Sequence, residues 1–226
     1  IEIGEKPMLW HIMKIYSHYG FNEFIVCLGY KGIFIKEYFH HYFLHESDVT
    51  FDFRMNQHIF ENHTAEPWKV SLVDTGLNTM TGGRIKRIAQ YVGNEPFMVT
   101  YGDGVSDVNV AELVKFHKSH GKLATVTSVQ PGGRFGVMDI DEDSSIKGFK
   151  EKPISEGGWI NGGFMVLQPQ VFDYIPNNDS VVFEKEPLEK LANDNQMMAF
   201  KHNGFWQSMD ALRDKIKLED LWQSKK

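Results

Sequence analysis

The stretch Phe97–Asp107, FMVTYGDGVSD, limits what this chain can fold into more than any other. Four residues of apolar strand, Phe97 to Thr100, run into Tyr101-Gly102-Asp103-Gly104, and a helical pattern opens near Asn109. That order reads as a buried strand delivering one carboxylate to the carboxyl edge of a sheet, where open α/β sheets bind ligands. Glycine on each side lets backbone approach a ligand and permits unusual dihedrals. An Asp held there can carry a divalent cation, because Mg²⁺ is bound by one or two carboxylates plus substrate phosphates. The competing reading is that Asp103 only shapes a strand-to-helix turn, since Asp and Gly are ordinary turn residues.

The rest of the chain alternates in the same style. A helical pattern from Pro7 to about Tyr19 places Leu9, Ile12, Met13 and Tyr16 at helix spacing, with Gly20 at its end. Phe24–Leu28 is a continuous apolar run, as in a buried parallel strand. The Gly29–Gly32 turn leads to a helix over about Ile33–Phe43, Val49–Met55 reads as a strand, and His58–Glu66 shows no period and reads as a loop. After the strand Val70–Asp74, the Gly/Thr-rich stretch Thr75–Arg84 passes into an amphipathic helix, Ile85–Tyr91. Backbone N–H groups at such a helix start favour anions. Val110–His120 closes on Gly121, and Ala124–Val129 is a strand. Strand and helix in alternation predict a Rossmann-like, mostly parallel mixed sheet flanked by helices.

From residue 131 the character changes. Arg134–Ile140 and Ile146–Lys150 read as a hairpin around the acidic turn Asp141–Ser145, followed by Glu151-Lys152-Pro153 and the loop Ile154–Gly158. Trp159–Leu167 reads as a strand entered through Asn161-Gly162-Gly163, Pro169–Ile175 as a short helix, Phe183–Asn193 as a helix and Met197–His202 as a strand. Phe205–Asp210 precedes a last helix to about Trp222. We read one domain, 1–226, whose part from residue 131 supplies extra strands and a pocket wall.

Composition narrows the function classes. A net charge of -6 argues against a nucleic-acid binder, which shows a basic face, but leaves a nucleotide ligand open. The single cysteine, Cys27, sits in an apolar run and reads as a small core residue. No apolar run approaches the ~18 residues that span a membrane, and no signal peptide is visible, so a cytoplasmic location is expected. His41 with His45 and His117 with His120 have helical spacing, but spacing fixes no acidic third ligand and HExxH is absent.

The candidates for chemistry are Asp103, Arg84, Glu151, Lys152, Asn161 and Asp210, each at an element end or beside glycine. Lys152 can aim a compact positive charge at a phosphate, or be a solvated surface lysine. Asn161 can bond a sugar hydroxyl, or be a turn asparagine. Asp210 can be a second metal carboxylate, or a helix N-cap.

Taken together, these strings resemble the sugar-nucleotide pyrophosphorylases, nucleotidyltransferases of Rossmann-like type. The resemblance runs through KPMLWHIMKIYSHYG, the Gly29–Gly32 turn, EPWKVSLVDTG, MTGGRIKRIAQYV, VTYGDGVSD, PGGRFGVMDI, FKEKP, INGGFMVL and GFWQSMDALRDK. It is tightest to the member that transfers a cytidylyl group from CTP to α-D-glucose 1-phosphate, releasing pyrophosphate, with the CDP-glucose feeding dideoxysugars of bacterial surface polysaccharides such as O-antigen lipopolysaccharide. By this resemblance Asp103 and Asp210 hold Mg²⁺ and Lys152 meets the sugar phosphate. The resemblance likewise implies that Glu151, Asn161 and Gly162 lie around the sugar hydroxyls and Thr81, Gly82, Arg84 and Gly102 on the nucleotide side, so that 1–130 is the nucleotide-binding part and 131–226 the sugar-binding part, whose extra strands form the sugar side of the pocket. The family's phosphate loop and first strand precede the point where this chain begins, at Ile1 without Met, so an upstream segment is expected. Two other readings stay open: a non-catalytic nucleotide-sugar-binding regulatory subunit of this fold, and a metal-dependent glycosyltransferase. A homo-oligomer is expected, with Tyr38–Phe43 and His58–Trp68 as contacts.

Overall fold

The computed structural model describes residues 1–130, 136–140, 146–151 and 158–224. Its elements in chain order are β1 (Glu2–Ile3), β2 (Lys6–Pro7), α1 (Met8–His18), β3 (Glu23–Leu28), α2 (Gly32–His45), β4 (Asp48–Asp52), β5 (Gln57–Glu61) and β6 (Lys69–Asp74). There follow α3 (Thr81–Arg87), α4 (Ala89–Val92), β7 (Phe97–Val99), β8 (Gly104–Ser106), α5 (Val110–His120), β9 (Ala124–Val129), β10 (Gly136–Ile140) and β11 (Ile146–Glu151). The last are β12 (Ile160–Leu167), a 3-10 turn at Pro169–Tyr174, α6 (Glu186–Asn193), β13 (Met197–His202), β14 (Trp206–Ser208) and α7 (Leu212–Gln223). The chain forms two compact units, one from Ile1–Gly20, Asn94–Val171 and Leu191–Lys226, the other from Phe21–Gly93 and Phe172–Lys190.

The first unit is built on a four-stranded mixed sheet in the order β13-β9-β12-β7. β13 runs parallel to β9, and β12 lies antiparallel between β9 and β7. Phe164, Met165, Val166 and Leu167 are all buried, as a strand covered on both faces requires. Each such side chain contributes about 1.5–3 kcal/mol by leaving water. α1 turns Met8, Ile12, Met13 and Tyr16 inward. α5 starts on an Asn109 cap, whose side-chain oxygen accepts from the Glu112 amide at 3.0 Å, and stops at Gly121, at φ 66°.

Below that helix lies a buried polar network. His117 Nδ1 and His120 Nε2 lie 2.9 and 2.7 Å from Thr125 Oγ1, Gln168 Nε2 lies 2.9 Å from His117 Nε2, and the Lys122 amide donates to His120 Nδ1 at 3.0 Å. One assignment gives every ring nitrogen a complementary partner: both rings neutral, each donating to Thr125, with the Gln168 amide donating to His117 and the Lys122 amide to His120. Burial, with His120 beside it, pushes the His117 pKa down to about 4.

In the second unit β3 and β6 pair in parallel from Glu23↔Lys69 to Leu28↔Asp74. β4 and β5 form a separate antiparallel hairpin. The segment His58–Glu66, expected as a loop, therefore opens as a strand. Its alternation places Gln57, Ile59 and Glu61 on one face and His58 and Phe60 on the other, a period hidden by polar residues on both faces. The hairpin turns where the Asp52 carboxylate accepts from the Arg54 and Met55 amides and Asn56 takes φ 51°, which ends β4 at Asp52 rather than Met55.

Four further expectations shift. β7 and β3 are half-buried rather than buried. The helix expected over Ile85–Tyr91 begins four residues earlier at Thr81 and breaks at Ile88. The helix expected from Phe183 begins at Glu186, and the short helix at Pro169 is a 3-10 turn. The hairpin of β10 and β11 is present, with Gly136 opposite Glu151. The turn Asp141–Ser145, Lys152 and most of the Ile154–Gly158 loop lie outside the described residues.

Candidate active site

The first unit gathers Gly102, Asp103, Asn161, Gly162 and Asp210. Asp103 does not lead straight into a helix. The chain instead forms β8, which pairs antiparallel with β14, Ser208 opposite Gly104. The Met209 amide then donates to the Asp103 carbonyl at 2.8 Å. This ribbon is seated by Val105 and Met209, which pack against the buried cluster Ile3, Met8 and Leu218. Two three-residue strands more than a hundred positions apart thus bring Asp103 and Asp210 to the same ribbon end. Both residues are exposed. Loss of hydration pushes the Asp103 carboxyl above its usual range, and the neighbouring Asp210 charge pushes it further.

Asp210 does not cap α7. Asp214 does so from inside the helix: its Oδ2 accepts from the Asp210 and Ala211 amides at 3.2 and 3.0 Å. Asp214 is buried, and Gln207 Nε2 donates to its Oδ1 at 3.4 Å while Lys217 Nζ donates to Gln207 Oε1 at 2.7 Å. The Asp210 carboxylate is held separately, with Ser208 Oγ donating to its Oδ2 at 2.8 Å. Sequence reasoning missed Ser208, Gln207 and Asp214. Only the SMD string before a helix, with an acid four residues beyond Asp210, carried any signal for them.

Asn161 and the glycines after it form a bulge where β12 shifts register against β9. Asn161 Nδ2 donates to the Tyr101 hydroxyl at 3.0 Å, and its Oδ1 accepts from the Gly163 amide at 2.8 Å. A Cβ on Gly162 would lie 2.9 Å from Val129 Cγ1. The Gly162 carbonyl accepts from Trp206 Nε1 at 2.8 Å, which ties the bulge to β14. The bulge therefore lies against the segment that carries Asp103. Of the remaining sugar-side residues, Glu151 ends β11, and Lys152 follows it outside the described residues.

The second unit carries Thr81, Gly82 and Arg84. The start of α3 is occupied by the chain itself: the Gly82 amide donates to the Val181 carbonyl at 2.9 Å, and Thr81 Oγ1 accepts from the Phe183 amide at 2.9 Å and donates to Glu184 at 2.7 Å. A Cβ on Gly82 would meet Val181 Cγ1 at 2.6 Å, so this glycine packs closely against Val181. Arg84 spans the carboxyl end of β3. Its Nη1 donates to the Leu28 carbonyl at 2.9 Å and Thr75 Oγ1 at 2.7 Å, and its Nη2 to the Leu77 carbonyl at 3.4 Å. These partners are neutral oxygens, so they orient the guanidinium without cancelling its charge.

Among the described residues no cluster of three or more His, Cys, Asp or Glu is arranged to hold a metal. The Asp103–Asp210 pair nevertheless has the donor chemistry that would suit Mg²⁺: hard carboxylate oxygens, exposed, whose like charges a divalent cation would relieve. No helix among those residues is long and apolar enough to cross a membrane.

The fold is α/β, with paired carboxylates at one ribbon end in the first unit and an arginine oriented by neutral oxygens in the second. The chain belongs to the nucleotidyl transferase family, whose model matches residues 1–218. It is similar to glucose-1-phosphate cytidylyltransferase of Salmonella typhi, 54% identical over 227 residues that span 100% of this chain and 88% of that protein. It is also similar to a probable glucose-1-phosphate cytidylyltransferase of Bacillus subtilis, 43% identical over 97% of this chain and 85% of the relative. In fold it resembles a UDP-glucose pyrophosphorylase solved with UDP-glucose, with a TM-score of 0.69 at 16% identity, covering 100% of this chain and 90% of the other. HddC of Yersinia pseudotuberculosis gives 0.68 at 21% identity, covering 98% and 88%.

Proposed function

We propose that this nucleotidyltransferase moves a cytidylyl group from CTP to α-D-glucose 1-phosphate, giving CDP-glucose and pyrophosphate. The observation that carries the reading is the convergence of Asp103 and Asp210 at one ribbon end, beside the Asn161 bulge. The likeness to glucose-1-phosphate cytidylyltransferases over the full chain supports the choice of substrates.

The nucleophile is a phosphate oxygen of glucose 1-phosphate. With a second pKa near 6 it is largely dianionic at pH 7, so no side-chain base is needed. It forms a bond to the α-phosphorus of CTP in line with the leaving group, the bond from that phosphorus to the bridging oxygen breaks, and pyrophosphate departs with the electron pair. The obstacle is repulsion between two anions. Asp103 and Asp210 would hold Mg²⁺, which when bound neutralises triphosphate charge and orients the α-phosphate. Lys152 offers a point charge to the incoming sugar phosphate. Arg84 holds its charge at the carboxyl end of β3, available to a nucleotide phosphate. Asn161, Gly162 and Glu151 bound the sugar.

The test is pyrophosphate release with glucose 1-phosphate and Mg²⁺, offering CTP, UTP, dTTP and ATP in turn. Release with CTP alone is expected. Equal release with UTP or dTTP contradicts the cytidylyl assignment, and CDP-glucose consumed as a sugar donor without pyrophosphate would favour a glycosyltransferase.

A further inference from the structure

Resting on Asn161 as a sugar contact of the reaction above, we propose that Trp206 is a positioning residue for sugar recognition. Its indole N–H holds the Asn161–Gly163 bulge in the one shape in which the Asn161 amide reads a hexose hydroxyl. Trp206 is half-buried on β14, opposite Ser106 of β8, on the strand that leads to Asp210. Its Nε1 donates to the Gly162 carbonyl at 2.8 Å.

That bond acts where the sheet does not. β12 pairs with β9 at Asn161 and again only at Met165, and with β7 only from Met165, so Gly162 and Gly163 have no partner in either ladder. Both are buried, and glycine is the residue with the most backbone freedom to lose. A buried carbonyl without a donor is costly, so the indole N–H selects the shape that presents the Gly162 carbonyl to it. The same peptide unit carries the Gly163 N–H. Because the unit is planar, with its C=O and N–H pointing opposite ways, fixing one end fixes the other. Trp206 grips the carbonyl end, and the N–H end donates to Asn161 Oδ1 at 2.8 Å.

The Asn161 amide is thereby oriented without being used up. A backbone N–H can only donate, so Oδ1 must face Gly163, and Nδ2 then faces the Tyr101 hydroxyl, to which it donates at 3.0 Å. Among the described residues no other bond takes the second Nδ2 hydrogen or the second Oδ1 lone pair. One donor and one acceptor side by side are the complement of a hydroxyl, which accepts and donates at once. Tyr101 leads through Gly102 to Asp103, and Trp206 leads through Ser208 to Asp210, so the reading amide is referenced to both carboxylate-bearing strands.

The experiment uses the intact protein with CTP and Mg²⁺ and compares kcat/KM for glucose 1-phosphate with that for galactose 1-phosphate and mannose 1-phosphate, each of which differs from it in the direction of one hydroxyl. Trp206→Phe keeps an aromatic ring and removes the N–H. It is expected to lower the preference for glucose 1-phosphate over one of the two about two- to tenfold, the range of one lost hydrogen bond, through a rise in KM. The comparison that moves identifies the hydroxyl. Asn161→Ala is expected to lower the same preference at least as far, and Trp206→Phe added to it is expected to change nothing more, because Trp206 acts through that amide. Gly20→Ala, which strains the backbone at a position with nothing within 4 Å, is expected to leave the preference unchanged, so that lost stability alone does not imitate the result. A wild-type preference in Trp206→Phe, or a loss that adds in full to that of Asn161→Ala, would overturn the proposal and leave Asn161 as a sugar contact. A wild type with no preference among the three, or an unchanged preference in Asn161→Ala, would remove that contact and the proposal with it.

Discussion

The Met209 amide donates to the Asp103 carbonyl at 2.8 Å, and Asp210 is the next residue. This backbone bond extends the β8–β14 ladder by one step, so the two carboxylates are brought together by main chain rather than by their own side chains. The spacing of the pair is then a property of the ribbon and of the buried cluster beneath it, Ile3, Met8 and Leu218 with Val105 and Met209. What sits behind the pair becomes as consequential as the pair itself.

Asp214 is the first such residue. It accepts from two backbone amides at the start of α7, one of them that of Asp210. Asp214→Ala leaves both without this acceptor and is expected to cost about 1–2 kcal/mol, the range of a lost helix cap. Because Asp214 acts through Asp210, kcat should fall by about 10- to 100-fold, as small misplacements of reacting groups do. Denaturant unfolding and steady-state kinetics check the two effects. Asp214→Asn, which keeps one acceptor oxygen, should recover part of each.

Gly163 offers a controlled comparison with Gly20. Both have φ +84°, but a Cβ on Gly163 would lie 2.7 Å from Tyr101 Cδ2, whereas nothing lies within 4 Å at Gly20. Gly20→Ala should cost about 1–3 kcal/mol from backbone strain alone. Gly163→Ala should add about 1–3 kcal/mol of overpacking to that strain. It should also raise KM for the sugar phosphate, since Tyr101 bonds Asn161. Paired urea melts of the two variants measure the difference.

His117 sets an acid-side limit on stability. In the unfolded chain it takes up a proton as pH falls through about 6.5; in the folded chain burial delays this to about 4. Between those values the unfolded state binds more protons, so the contribution is fully present above about 6.5 and is lost as pH falls towards 4. The folded network has no room for the extra proton, because His117 Nε2 already faces the Gln168 amide. Urea midpoints for wild type and His117→Asn across pH 7.5 to 4.5 should converge as pH falls.

The sequence was readable where chemistry and backbone signals coincide. Asp103 announces itself through a strand end and two flanking glycines, and Asn161-Gly162-Gly163 marks an interruption of β12. The ribbon was not readable, because Gly104–Ser106 and Trp206–Ser208 are too short to show a period and pair across a long sequence separation. Asp214 was invisible for a related reason: its partners are backbone amides, which carry no residue signature. β5 was misread because its two faces are both partly polar, so the alternation that makes it a strand did not register as hydrophobic contrast. Thr81 and Gly82 looked like an open anion site, whereas the structure fills the start of α3 with Val181 and Phe183.

Under the proposed function, Asp103 and Asp210 act as a pair on one divalent cation. The most direct measurement is Mn²⁺ binding, by the loss of its free electron-resonance signal, to wild type, Asp103→Asn, Asp210→Asn and the double variant, each saturated with CTP. One site is expected in the wild type and an affinity loss of at least about tenfold in each single variant, with the double variant little worse than either, as expected for residues that act as a unit. Wild-type affinity in Asp210→Asn, or losses that simply add in the double variant, would contradict it.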